Sequence, residues 1–127
     1  MRTSGSAQRP VILVVEEEAA ERVAIAEHLG EAGFDVLEAG DTDEALALLE
    51  RRSDVQGLVT DAHLPGRLDG SELARTVRDR RPGIRVVLMS GHSDLRDDEM
   101  PDGVEFVSKP YLLDRLAPTL RRLIEAA

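Results

Sequence analysis

Five short, nearly unbroken apolar runs punctuate the chain, at Val11 to Val15, Phe34 to Leu37, Val55 to Thr60, Ile84 to Met89 and Val104 to Val107. Runs of this length without polar alternation suit strands of a parallel sheet that is covered on both faces. Between them apolar residues recur at helical spacing. Val23, Ala26 and Leu29, with Ile25, mark a first helix that closes at the segment GEAGF, where Gly30 or Gly33 can take a left-handed C-terminal turn. Asp41, with Glu44 three residues on, predicts the N-terminal cap of a second helix, whose Ala45, Leu46, Leu48 and Leu49 face the sheet. Leu73, Ala74 and Val77 mark a third, stopped by Pro82-Gly83. Leu113, Leu116, Leu120 and Leu123 form a stripe along the last.

The order is strand then helix, five times over. Repeated units of this kind with short connections predict an α/β fold, a doubly wound five-stranded parallel sheet with (βα)5 connectivity. The fourth helix is the weak member. Between Met89 and Val104 only Leu95 and Met100 are apolar, so little burial is available to hold a helix, and a short or mobile one is expected. Pro118 falls inside the last helical pattern and calls for a late start or a kink. The polar residues 1–9 read as a flexible tail and 10–127 as one domain.

Charge and composition narrow the function. The 127 residues carry 25 acidic against 16 basic side chains, a formal charge of −9 that repels phosphate backbones and anionic lipid, so nucleic acid and membrane are not expected partners. Aromatic residues are scarce, which disfavours stacking surfaces. There is no cysteine, excluding disulfides and thiolate metal sites, and no apolar run approaches the roughly 18 residues of a membrane span. A soluble cytoplasmic protein is the expectation.

Ligands of open parallel sheets bind beyond the carboxyl ends of the strands. At those ends stand Glu16 and Glu17 after the first strand, Asp61 after the third, Ser90 after the fourth and Lys109 after the fifth. Clustered carboxylates raise one another's proton affinity unless a cation sits among them, and a hard ion such as Mg²⁺ with oxygen ligands would resolve this. With Lys109 opposite, Asp61 is then placed as a nucleophile toward phosphorus, and Ser90 and Lys109 as donors to phosphoryl oxygens. The triplet Glu16 to Glu18 also suits plain helix entry, because acidic side chains favour the positive end of the helix dipole. The joint occurrence at four strand ends carries the inference.

These landmarks resemble the receiver domain of two-component response regulators, over about Pro10 to Ile124: the acidic pair Glu16-Glu17, Asp61 with Leu64-Pro65-Gly66 and Leu68-Asp69-Gly70 after it, Ser90-Gly91, and Lys109-Pro110. The resemblance implies a flavodoxin-like receiver fold in which Asp61 accepts phosphate from a sensor histidine kinase or phosphotransfer protein. Glu16, Glu17, Asp61 and the backbone carbonyl of His63 would surround Mg²⁺. Ser90 and Phe106 would be the switch pair, Lys109-Pro110 a dipeptide often cis, and the family's face of helix four, strand five and helix five the surface read by an output partner. Such a protein catalyses only its own phosphorylation and dephosphorylation, and this one looks like a stand-alone, single-domain member. Leu112 and Leu116 fit either a monomer or a weak homodimer.

Four departures stand out. Glu17 replaces the usual Asp, reaching up to about 1.5 Å further. One extra residue lies between Asp61 and Asp69-Gly70, the stretch from Ser90 to Lys109 is short, and His63 and His92 flank the phosphoryl position. Those histidines are either simply solvated or tune the lifetime of the acyl phosphate. The alternative function is a degenerate receiver, a phosphorylation-independent interaction module in which Glu17 has compromised the metal. A phosphatase-like or flavodoxin-like enzyme is a third, weakened by the lack of a Gly-rich phosphate loop after the first strand.

Overall fold

The sheet is fully parallel and ordered β2-β1-β3-β4-β5. Its elements, in a computed structural model that describes residues 9–90, 103–109 and 112–126, are β1 (Val11–Val15), α1 (Ala19–Glu31), β2 (Asp35–Ala39), α2 (Thr42–Arg51), β3 (Val55–Asp61), α3 (Gly70–Arg80), β4 (Arg85–Ser90), β5 (Val104–Ser108) and α4 (Leu112–Glu125). Every apolar run became a strand, each within one or two residues of its expected ends. Most of the expected tail, the short or mobile helix before β5, His92, the cis expectation for Lys109-Pro110 and the side chain of Leu112 lie outside the described residues. Arg9, at the tail's end, is held by hydrogen bonds donated to the carbonyls of Gly30 and Phe34 and by an ion pair with Asp35.

Side-chain alternation divides the core into two layers. Leu13 and Val15 of β1 face Ala45 and Leu49 of α2 and Leu73, Ala74 and Val77 of α3. Ile12 and Val14 face the other way, toward Ile25 and Leu29 of α1 and Leu116, Ala117 and Leu120 of α4. Both faces of β1 are therefore apolar, the reason its sequence shows no alternation. Arg121 of α4 stacks its guanidinium over the Phe34 ring at 5.2 Å, closing the edge of that second layer.

Local signals set the helix ends. Asp41 accepts from the Glu44 amide at 2.8 Å while Glu44 accepts from the Gly40 amide at 2.7 Å, so the expected cap of α2 is present. The cap of α3 was not anticipated: Asp69 and Glu72 form a reciprocal capping box, each accepting the other's amide at 2.9 Å. Of the two glycines offered for the end of α1, Gly33 takes the left-handed conformation, φ +106°.

Four expectations need correction. Val23 is 43% exposed, because the buried face of α1 runs through Ile25 and Leu29 and leaves Val23 on the far side. Leu113 is 45% exposed for the same geometric reason, the stripe of α4 being Leu116, Ala117 and Leu120. Leu116 is itself fully buried and so belongs to the core, not to a dimer face. The last helix starts at Leu112 and passes through Pro118, so a late start is excluded. Among the described residues no helix is long and apolar enough to cross a membrane.

Candidate functional site

The chain reverses its winding direction between β1 and β3, and the crevice at their carboxyl ends is where an open sheet of this order binds ligands. Strand pairing delivers the residues there. Val15 is level with Thr60, so Glu16 and Asp61 leave adjacent strands side by side, and Asp61 is level with Met89, one residue before Ser90. Ser90 in turn lies beside Ser108, the neighbour of Lys109.

The centre of the site is the Lys109 ammonium. Its Nζ donates to Asp61 Oδ2 at 2.8 Å and to Glu16 Oε2 at 3.2 Å, and pairs with Glu21 Oε2 at 2.8 Å. Asp61 Oδ1 accepts from the His63 amide at 3.2 Å, and Glu16 Oε1 from the Glu18 amide at 3.3 Å. The end of β1 is further fixed by Arg22, which donates to the Glu16 carbonyl at 2.9 Å and pairs with Glu38 at 3.2 Å. Glu18 caps α1, accepting from the Ala20 amide at 3.1 Å. Both readings of the acidic triplet thus apply, to different members.

The two buried carboxylates are driven apart. Burial, reinforced by the hydrogen bond and charge of Asp61, pushes the Glu16 carboxyl up to about 7 against the partial relief given by Lys109. Burial also acts to raise Asp61, but hydrogen bonds from Glu16, Lys109 and the His63 amide outweigh it and hold Asp61 below the ordinary range. Lys109 likewise loses some basicity to burial and regains more from Asp61, Glu21 and Glu16, ending above the usual ammonium range. The result is an ionised Asp61 that faces a cation, beside a Glu16 carboxyl that keeps its proton to higher pH than an ordinary carboxylate: a poised oxygen nucleophile with its negative charge locally balanced.

Asp61 and Lys109 meet as expected, and Glu16 joins them. Ser90 is buried at the end of β4, Phe106 is half-buried in β5, and His63 is exposed after β3. Glu17 is exposed and outside the Lys109 network. Glu21, missed in the sequence, takes the place beside the ammonium that Glu17 does not. The only sequence signal was its position in the first turn of a helix starting directly above the strand ends.

Carboxylate oxygens are the right donors for Mg²⁺, which receiver domains generally bind, but as arranged these residues do not fit it. Among the described residues no three His, Cys, Asp or Glu side chains are gathered to hold a metal, because the Lys109 ammonium occupies the centre of the carboxylates and Glu17 lies apart. The extra residue after Asp61 is absorbed harmlessly: the loop leaves through buried Ala62, is tied by Thr42 donating to the Leu68 carbonyl at 2.9 Å, and rejoins α3 where Gly70 N–H bonds the Ala62 carbonyl at 3.0 Å.

Comparison with known proteins bears on the fold and the family. The response regulator receiver domain matches residues 12–121. The chain is 35% identical to the hydrogenase transcriptional regulatory protein HoxA of Cupriavidus necator, covering 95% of this chain and 25% of that protein. It is 33% identical to the sensor kinase CckA of Brucella abortus, covering 96% of this chain and 13% of that one. The chain therefore spans a quarter or less of these relatives' lengths. Among solved structures, a response regulator receiver protein from Sinorhizobium medicae superposes with a TM-score of 0.86 at 26% identity, covering 94% of this chain and 97% of that one. Sheet order, the paired strand-end carboxylates and a match over nearly the whole chain lead to one conclusion: the protein belongs to the response regulator receiver domain family.

Proposed function

We propose that this receiver is a cytoplasmic phosphoacceptor switch in which Asp61 takes a phosphoryl group from a sensor histidine kinase or a phosphotransfer protein. The carrying observation is the ionised Asp61 carboxylate 2.8 Å from the Lys109 ammonium at the switch point of the sheet. An Asp61 oxygen attacks phosphorus, the bond from phosphorus to the donor's imidazole nitrogen breaks, and the electron pair stays on that nitrogen. Lys109 and Ser90 then donate to the phosphoryl oxygens. Movement of Ser90 toward the phosphoryl group lets Phe106 turn inward, shifting a pre-existing equilibrium at the surface that includes β5 and α4, where an output partner binds. His63, two residues after Asp61, and His92, two residues after Ser90 in the sequence, set the lifetime of the acyl phosphate.

A second reading is favoured by the exposed Glu17 and by the ammonium at the centre of the carboxylates. In it the protein is a degenerate receiver, acting as an interaction module without phosphorylation. Intact mass after incubation with phosphoramidate or acetyl phosphate, with and without Mg²⁺, separates the two. The switch predicts a gain of one phosphoryl group that is absent from Asp61→Ala, and dependence of that gain on Mg²⁺ would show that the carboxylates rearrange to admit the ion. No gain from small donors or from a partner kinase leaves the interaction module. Replacing His63 or His92 by Ala changes the dephosphorylation rate severalfold if the imidazoles act on the acyl phosphate, and equal rates would assign them to solvent.

A further inference from the structure

We propose that Glu21 is a positioning residue of this site: its carboxylate engages the Lys109 ammonium in the unmodified protein and yields it when a phosphoryl group arrives on Asp61. The inference rests on the phosphoacceptor reading of Asp61 and adds to it a residue of α1.

An ammonium has three N–H donors, and here three carboxylate oxygens lie within reach, on Asp61 and Glu21 at 2.8 Å and on Glu16 at 3.2 Å. A phosphoryl oxygen that needs Lys109 must displace one of them. Asp61 is the acceptor itself and remains beside the ammonium. The Glu16 side chain is 4% exposed and its other oxygen accepts from the Glu18 amide, so it is fixed in the interior and cannot turn into water to make room. The Glu21 side chain is 34% exposed at the mouth of the site and can turn into water at small cost. Glu21 is therefore the ligand that leaves. Until it does, its negative charge stands where an anionic donor must approach, and it neutralises the cation that would attract that donor.

The placement follows from the fold. Glu18 caps α1 and starts it at Ala19, which puts Glu21 in the first turn, above the ends of β1 and β3. Arg22, next in the helix, is bonded to the Glu16 carbonyl and fixes that turn to the strand end. Glu17, nearer in sequence, stays exposed and outside the network.

The test compares the full chain with Glu21→Gln, following phosphoryl gain on Asp61 by intact mass, in Mg²⁺, with acetyl phosphate and with the less negatively charged phosphoramidate, over a series of salt concentrations. Glu21→Gln is expected to be modified about three to ten times faster at low salt, the scale of losing one charge beside a partly exposed ion pair. The gain is expected to be larger for acetyl phosphate and to shrink as salt screens the site. Glu21→Ala, with a good helix former, gives a second variant should Gln repack badly. Equal or slower modification, or a gain independent of donor charge and of salt, overturns the role of Glu21 and leaves the phosphoacceptor reading intact. Modification of neither protein, by these donors or by a partner kinase, removes both.

Discussion

Glu16 is the residue on which pH acts most directly. Its carboxyl titrates near 7 in the folded protein against an ordinary 4.5. The folded state therefore holds a proton that the unfolded chain has lost, and the associated stability is fully present below about 4.5 and disappears as pH rises through about 7. Asp61, held low, contributes in the opposite sense and only below its ordinary 3.8, outside that window. With metal chelated, stability of the wild type relative to Glu16→Gln is expected to fall between pH 5 and 8 by roughly 1–3 kcal/mol, from the size of such a shift. Parallel pH profiles from denaturant titration would show that Glu16 is not the titrating group. Gly70 is the other sensitive residue. A Cβ there would run into the carbonyl oxygen of Asp61, a backbone atom that cannot move aside. Gly70→Ala is expected to cost about 1–3 kcal/mol through forced displacement of the end of β3, checked by its melting temperature together with loss of phosphoryl gain at Asp61.

At the scale of elements, the parts legible in the sequence were those set by local chemistry or by complete burial. The five strands were visible because both faces of the inner ones are covered, so Val11 to Val15 and Ile84 to Met89 carry no polar alternation. The cap at Asp41 was visible because Asp and Glu stand three apart. The same spacing at Asp69 and Glu72 is masked in the sequence by the loop signature that Asp69-Gly70 also completes. Helix faces were less legible: Val23 and Leu113 are apolar yet exposed, and hydrophobicity alone cannot tell a core position from its neighbour one turn-fraction away. The site followed the same division. Asp61, Lys109 and Glu16 sit at strand ends, where topology brings them together; Glu21 depends on the phase of a helix, which only its actual cap at Glu18 determines. The capping box of α3 gives an element-scale prediction. Asp69→Ala should lower stability by about 1 kcal/mol, the usual worth of such a cap. Adding Glu72→Ala should then cost little more, since the box is reciprocal. Full additivity of the two losses in denaturant titration would contradict a shared motif.

Across the whole molecule, the sheet is a partition between two cores that share strands but no side chains. Ile25 of α1 packs in the layer with Leu116 and Leu120 of α4, whereas Ile84, just before β4, packs in the layer with Leu73, Ala74 and Val77 of α3. Each is almost completely buried, so Ile→Val at either position removes one methyl group from a close-packed environment. A loss of about 1 kcal/mol is expected for each. Because the sheet backbone separates them, the double variant should lose the sum within about 0.5 kcal/mol, as for sites without shared partners. Ile25→Val combined with Ile12→Val, which lies in the same layer, should depart from its sum, because the second deletion can relax into space left by the first. Additivity in the same-layer pair and coupling in the cross-sheet pair would reverse that picture, and would mean that the sheet transmits packing changes between its faces. The distinction bears on switching: a receiver that remodels the β5 and α4 side while holding Asp61 in register with β1 needs one layer to yield without loosening the other.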